Sequence, residues 1–415
     1  MCLNHTLNKK KNHTSAILYL TAILLGVFSG LANIEFAENL GLLISDVFIK
    51  IFKCISMPII ALSIIVTLSS YSSGSGMHKL WQRAICYTIS TTIIAATVTC
   101  GLYLLIRPEN VSLVMEHALI PESNQSSYFS HLTNLIPSNI FSPFLEHQVM
   151  GVLLVGIVVG IAIRYIKEDE PRKSMENFFK GTHAIFLVIT GWVVKIIPIG
   201  LYGFITTTVL QLKGGMELKG IGKYLLIVIA ANVVQGFIVL PIWLKINNIK
   251  PFSSMKAMLP ALSLAFFSKS SAGTLPVTIE TAEKNLNIDP KVSRFILPLC
   301  TTINMNGCAA FIFATVIYLM QNYGLTITPG TLFLWIFIST IAAIGNAGVP
   351  MGCFFLSASL LAGMNVPITL LGVILPFYSL IDMVETALNV WSDSCVAKVV
   401  DKKARELSED VVLEH

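Results

Sequence analysis

The chain has 415 residues, 54% of them hydrophobic and only 12% charged, against about 25% charged in a typical soluble domain. Several apolar runs reach the roughly 20 residues that a bilayer core demands. These figures exclude an ordinary soluble globule and predict an all-α polytopic membrane protein built as one unit; the net charge of +5 says little about partners, and no nucleic-acid role is expected.

Lys9, Lys10 and Lys11 precede the first apolar run, which lacks a small-residue cleavage site, so it reads as a retained first helix rather than a secretory signal. Eight transmembrane helices are predicted at about 16–34, 45–70, 84–106, 148–165, 183–210, 224–244, 295–320 and 366–398. The long segment 107–147 is polar, enriched in Asn, Ser and Pro, and reads as a solvated outer loop. Two further apolar stretches, 255–279 and 331–363, are interrupted by KSSAGTLP and GNAGVPMG. Non-helical backbone at membrane depth survives only inside protein or beside a water-filled cavity. Each stretch is therefore expected to be a re-entrant helical hairpin with a buried polar tip.

With the N- and C-termini in the cytoplasm, this tracing gathers Lys9, Lys10, Lys11, Lys79, Arg83, Arg164, Lys167, Arg172, Lys173, Lys245, Lys250, Lys256, Lys284, Lys291, Arg294, Lys398, Lys402, Lys403 and Arg405 on the inner side. Only Arg107, Lys213, Lys219 and Lys223 fall outside, as the positive-inside rule requires. Reading either hairpin as a full span would invert the loops after it. The eight cysteines form no CxxC pair and mostly sit in apolar runs, as small hydrophobes do. Neither the histidines nor the serines and carboxylates assemble a catalytic set, so an enzyme is not expected.

The segment DMVETALNVWSD, 382–393, carries three acids inside an apolar span. At about 100° per residue, Asp382, Glu385, Thr386, Asn389 and Asp393 share one helical face. Charges at bilayer depth cost several kcal/mol unless paired or hydrated. A structural salt-bridge network is the plain reading, but this helix has no basic residue before Lys398. The functional reading is a cavity for cations or amines. TTINMNG, 301–307, predicts an unwound segment whose freed carbonyls of Cys300 and Asn304 are hard ligands for Na⁺; interhelical hydrogen bonding by Asn304 and Asn306 is the alternative. The first tip offers Ser270, Ser271 and backbone N–H groups suited to a carboxylate. The second has Gly345, Gly348 and Pro350 as hinge points. Tyr87, Ser90 and Thr91 share one face of the third helix, although Ser and Thr there often bond back to their own backbone.

Together SSAGTLPVT (270–278), LPLCTTINMNG (297–307), IGNAGVP (344–350) and DMVETALNVWSD (382–393) resemble the dicarboxylate/amino acid:cation symporter family, the glutamate-transporter fold. Softer matches are SMPII at 56–60, IPSNIF at 136–141 and PIGLYG at 198–203. The resemblance implies a homotrimer among membrane lipid, in the plasma (bacterial inner) membrane, working as an elevator. Scaffold helices would occupy 14–76 and, with the outer loop, 111–215. The moving transport domain would comprise 77–110 and 216–400, and 401–415 would be a cytoplasmic tail.

It also implies roles for individual residues. Asp382 would hold a substrate α-amino group, and Asn389 and the backbone of Ser271 its α-carboxylate. Ser270, Thr274, Cys308, Val349, Glu385 and Thr386 would complete the substrate site. One Na⁺ would lie on Asp393 with the carbonyls of Cys300, Asn304 and Asn389. A second would lie on Thr302 with the carbonyls of Ala343, Ile344 and Asn346. A third would be held by Tyr87, Ser90, Thr91, Asn304 and the Asn306 region. Na⁺ is the coupling ion, and no organic cofactor is implied.

Three departures from the family pattern matter. Acidic-substrate members carry an arginine where this chain has Glu385, and the position after NMNG is Cys308. A second carboxylate a few ångströms from an acidic substrate would repel it by roughly 4 kcal/mol. The string ETALN looks like the bacterial serine/threonine branch, which implies Na⁺-coupled uptake of small neutral amino acids. An acidic amino acid or C4-dicarboxylate remains the alternative, with Lys269 as the only nearby cation to replace the arginine. A third departure, Asn306 where the family carries Asp, removes a formal charge from the third ion site.

Overall fold

The computed structural model describes residues 18, 20–69, 77–111, 137, 139–145, 149–213, 219–346, 348, 350–364 and 366–413; no strand occurs among them. The lysines at 9–11 and most of the 107–147 loop lie outside the described residues.

In chain order the helices are α1 (Leu20–Leu31), α2 (Glu35–Ser69), α3 (Met77–Ile106), α4 (Val149–Arg164) and α5 (Asp169–Lys213). They continue as α6 (Gly220–Ile246), α7 (Pro251–Ser268), α8 (Ser271–Asn285), α9 (Pro290–Ile303), α10 (Asn306–Asn322), α11 (Pro329–Ile344), α12 (Gly352–Gly363) and α13 (Thr369–Leu413). By length and composition α3, α6, the α9–α10 pair and α13 can each cross a membrane, and α5 is a fifth if taken as one span. α5 bends by 51° between Val193 and Lys195. Pro198 lies one turn on and has no N–H for the carbonyl four residues before it, which is the usual origin of such a bend.

α1, α2, α4 and α5 pack through small residues. A Cβ on Gly203 would meet the Ser45 nitrogen at 2.7 Å, and one on Gly41 would meet the Thr206 side chain at 2.5 Å. Only glycine lets the two backbones approach this closely, as in other membrane helix pairs. Tyr202 Oη then donates to Ser29 Oγ at 3.1 Å, tying α5 to the end of α1.

The remaining helices surround α9–α10, whose most apolar 18-residue window is wholly buried. Buried side chains of α3, α6, α10, α11, α12 and the first half of α13 form one core, which continues onto α2, α4 and α5 through residues such as Met57, Ile60, Val152 and Ile197. Those of α7, α8, α9 and the second half of α13 form another. α13 therefore threads both, and its polar face is turned inward.

Three breaks shape the interior. Between α9 and α10 the chain leaves helical geometry at Asn304 (φ −101°, ψ 71°) and Met305 (φ −109°, ψ 65°). Between α7 and α8 it turns through Lys269 in the left-handed region (φ 57°), and Ser270 caps α8 by accepting the Gly273 N–H. Between α11 and α12 it turns through Gly348 (φ 64°) and Met351 (φ 65°). All three fall where Gly, Pro and Asn cluster in the sequence, and α11 starts on a capping box of Thr328 and Thr331 with Pro329 in its first turn. α6 has a fourth irregularity, a π-helical turn at Gln235–Val239. Pro241 just beyond it cannot donate to the carbonyl of Phe237, and the turn leaves the Gly236 carbonyl to accept from Trp391 Nε1 at 3.2 Å.

Candidate functional site

Every member of the expected stripe on α13 is buried: Asp382, Glu385, Thr386, Asn389 and Asp393 are each at most 5% exposed. They divide into two groups around the α9–α10 break.

The first group centres on Asp382 and Glu385. The Tyr378 hydroxyl, one turn before Asp382, lies 3.4 Å from Asp382 Oδ1 and 3.3 Å from Glu385 Oε2. It has one proton, so it serves one carboxylate at a time. Asp382 Oδ2 accepts the Met351 N–H at 3.1 Å, tying the second tip to α13. Lys269, from the first tip, interacts electrostatically with Asp382, and its Nζ donates to Ser379 Oγ at 2.5 Å. Glu385 Oε1 is buried with no partner at ordinary hydrogen-bond geometry among the described residues, and the Cys353 thiol is its polar neighbour. Cys308 and Cys353 are buried beside this acid pair and interact with each other. Thr386 turns back to the Asp382 carbonyl at 2.7 Å. Asn389 Oδ1 accepts the first free N–H of α10, that of Gly307, at 2.9 Å.

The second group centres on Asp393. Asn304 Nδ2 donates to Asp393 Oδ1 at 2.9 Å and to Ser392 Oγ at 2.9 Å. Thr301 Oγ1 donates to Asp393 Oδ2 at 3.4 Å, and Thr91 Oγ1 donates to Asn304 Oδ1 at 3.1 Å. Asn306 Nδ2 also reaches Ser392 Oγ, while Asn306 Oδ1 is buried without a partner. The group thus offers a carboxylate, amide oxygens and hydroxyls at a point where the helix is interrupted. Such hard oxygen donors suit an alkali or alkaline-earth cation rather than a soft metal, and the Asn306 oxygen has no other partner among the described residues.

The two tips meet. The Gly348 carbonyl accepts both the Ala272 N–H at 3.3 Å and the Ser270 hydroxyl at 3.1 Å. Ser271 and Thr274 are buried at this contact, and Thr274 Oγ1 donates to the Ser270 carbonyl at 2.8 Å. A Cβ on Gly348 would lie 3.1 Å from the Thr301 carbonyl, so the second tip rests on the break in α9–α10. Asn346 Nδ2 faces Cys353 Sγ at 3.4 Å, and its Oδ1 is buried without a partner. Val349 lies outside the described residues.

Some expected ligands have other occupations. The Cys300 carbonyl accepts the Asn304 N–H at 2.8 Å and keeps one lone pair. The Ala343 carbonyl accepts the Asn346 and Gly345 N–H groups, and Ile344 ends α11 beside it. Thr302 Oγ1 bonds back to the Leu299 carbonyl at 2.8 Å, and its neighbour Thr301 is the residue that touches Asp393. In the α3 triad only Thr91 reaches Asn304; Ser90 is exposed and bonded to the Cys86 carbonyl, and Tyr87 packs edge-on against Trp243.

Other residues of the site were not singled out from the sequence. Tyr378 sits four residues before Asp382, so extending the polar face one turn upstream would have found it. Asn232 Oδ1 and Gln235 Oε1 of α6 are buried and unpartnered, with Gln235 Nε2 bonded to the Thr91 carbonyl at 3.1 Å. Their signal is two amides in an apolar run. Met351 acts through its backbone, which no side-chain pattern announces.

Apolar helices around buried acids and interrupted backbone are those of a multi-pass membrane protein, and its relatives make its class a transporter rather than an enzyme. The chain belongs to the sodium:dicarboxylate symporter family, whose model matches residues 16–403. It is 28% identical to a Caenorhabditis elegans protein, glt-4, assigned by name to the sodium-dependent excitatory amino acid transporters, over 86% of this chain and 81% of that one. It is 24% identical to human neutral amino acid transporter A, over 89% of this chain and 77% of that protein. It is 26% identical to mouse excitatory amino acid transporter 2, over 86% of this chain and 72% of that protein.

Proposed function

We propose that the protein is a Na⁺-coupled symporter that takes up small neutral amino acids of the serine, threonine or alanine kind. The observation that carries this reading is Glu385. It is an acid whose buried Oε1 has no partner at ordinary hydrogen-bond geometry among the described residues; it lies beside Asp382, in the position where acidic-substrate members of the family carry a guanidinium. Asp382 supplies the charge for an α-ammonium group. Asn389, the Ser270 hydroxyl and the N–H groups opening α8 and α10 supply the environment for an α-carboxylate. The side-chain end of the pocket is then lined by Glu385, Cys308 and Cys353, which admits a small hydroxyl or methyl and repels a second carboxylate. Na⁺ belongs with Asp393, Asn304, Thr91 and the Asn306 oxygen, and a further Na⁺ with the Thr302, Ala343, Ile344 and Asn346 set.

The same proposal reads α7–α8 and α11–α12 as the two re-entrant hairpins. The eight spans are then α1, α2, α3, α4, α5, α6, α9–α10 and α13, with both termini in the cytoplasm. The glycine-packed α1, α2, α4 and α5 form the scaffold of a homotrimer, and the rest is the unit that moves as an elevator. The exposed apolar strip Ile185, Val188, Trp192, Ile196 and Ile199 on α5 supports a helix face covered by lipid or a neighbouring copy.

One observation favours the second reading, uptake of an acidic amino acid or C4-dicarboxylate: Lys269 interacts electrostatically with Asp382 and is a cation at the pocket. Uptake of labelled serine into proteoliposomes under an inward Na⁺ gradient separates the two. Competition by unlabelled serine, threonine and alanine, and none by aspartate, is expected. Strong competition by aspartate would overturn the neutral reading, and accumulation without Na⁺ would overturn the coupling.

A further inference from the structure

Beyond the acid stripe on the same helix, the turn after α6, the first turns of α7, the end of α8 and the Lys398–Arg405 stretch of α13 line an open cavity of about 370 Å³. Lys250, Lys398, Lys402 and Arg405 line it, with Asp401 as its one carboxylate. We propose that this cavity binds a phosphate group, either the headgroup of an anionic phospholipid or a soluble phosphate.

The charge balance is the first argument. Asp401 is 1% exposed. It accepts the Asp289 N–H at 3.0 Å and pairs with Arg405 at 3.1 Å and Lys398 at 3.8 Å. Its charge is consumed locally, and the lining keeps a cationic surplus. Lys398 Nζ donates to the Leu286 carbonyl at 2.8 Å, and Lys402 Nζ donates to the Asn247 carbonyl at 2.9 Å. These carbonyls fix the ammonium groups without neutralising them, and each ammonium has three donors in all. Lys402 also stands 4.0 Å from Glu406, a weak, half-exposed pairing.

The backbone adds donors of its own. α7 begins at Pro251, which has no N–H, with no side-chain cap from Lys250; the Ser254 N–H goes to the Lys250 carbonyl at 3.1 Å, which leaves the Phe252 and Ser253 N–H groups without a partner within the helix. Ser253, in that turn, lines the cavity. The N-terminal turn of an 18-residue helix thus borders the same cavity as four cations. Convergent, geometrically separate donors suit a tetrahedral anion with several acceptor oxygens better than a single planar carboxylate.

The surroundings favour the lipid as source. Ile246 and Phe252, on the two chain segments that frame the opening, are 73% and 63% exposed. Acyl chains would run along such residues while the headgroup entered the cavity, and basic pockets between membrane helices bind anionic headgroups.

The test uses the purified full-length protein in a non-ionic detergent. It is titrated in parallel with dioctanoyl phosphatidylglycerol, dioctanoyl phosphatidylcholine and inorganic phosphate, with occupancy read by native mass spectrometry and thermal melting. Saturable binding of the phosphatidylglycerol over the phosphatidylcholine is expected, weakened about fivefold for each lysine removed in Lys398→Gln/Lys402→Gln. Binding of inorganic phosphate with the same sensitivity to these variants, and no preference between the lipids, identifies the soluble source. Binding of both probes that is equal in the wild type and the double variant overturns the proposal. Should the double variant fail to fold, Lys250→Gln, at an exposed side chain, decides the matter: a loss of about fivefold supports the site, and no loss overturns it.

Discussion

Tyr378 is the smallest unit on which the site turns. Its hydroxyl touches both Asp382 and Glu385, and its ring packs on Phe311 with centroids 4.5 Å apart. Tyr378→Phe keeps the ring and removes the donor. Leaving a buried carboxylate without a donor costs about 1–3 kcal/mol, so thermal stability of the substrate-free protein should fall and substrate affinity should change more than expression. Unchanged melting and affinity would remove Tyr378 from the site. Asp393 makes a second test. Asp393→Asn deletes the formal charge of the oxygen cluster, and the half-saturating Na⁺ concentration should rise by at least about tenfold. Glu385→Gln should move it less, and the reverse order would reassign the ion site. Glu385→Arg should shift preference toward acidic substrates in the same uptake assay; unchanged selectivity would place the side-chain pocket elsewhere. The acids of 382–393 were legible in the sequence because helical period is a local property. That Thr301 reaches Asp393 was not: it depends on where α9 ends, and the chain leaves helical geometry at Asn304.

At the level of elements, the breaks were legible and the contacts between them were not. Gly, Pro and Asn clusters located the tips and the α9–α10 interruption, since those residues act on their own backbone. The π turn of α6 escaped notice: Pro241 was visible, but the bond from Trp391 to Gly236 joins residues far apart in the chain. The approach of α10 to α13 is similarly non-local. A Cβ on Gly307 would lie 2.8 Å from the Glu385 Cα and 3.0 Å from Asn232 Oδ1. Backbone on one side and a packed helix on the other leave no room to relax. Gly307→Ala is expected to cost about 1–3 kcal/mol, read as a lowered melting temperature, and to weaken substrate binding by displacing the Gly307 N–H from Asn389. Normal binding with normal melting would mean the two helices part more easily than this packing implies.

For the whole molecule, composition and the long apolar runs were enough to read a polytopic helical protein, because both follow from the solvent rather than from any single fold. Assembly is not written there in the same way, since lipid and a neighbouring copy cover apolar surface equally well. The homotrimer reading expects light scattering in detergent to return three chains per particle, and a stable single chain would count against it. The meeting of the two tips has a consequence of its own. Among the described residues one backbone oxygen, that of Gly348, receives both donors that join them. A visiting carboxylate that offered its own oxygens to the Ser270 hydroxyl and the Ala272 amide would take over both interactions without leaving a donor bare. Parting the tips would then be an exchange of one acceptor for another, so the cargo itself can release the clasp that closes over it.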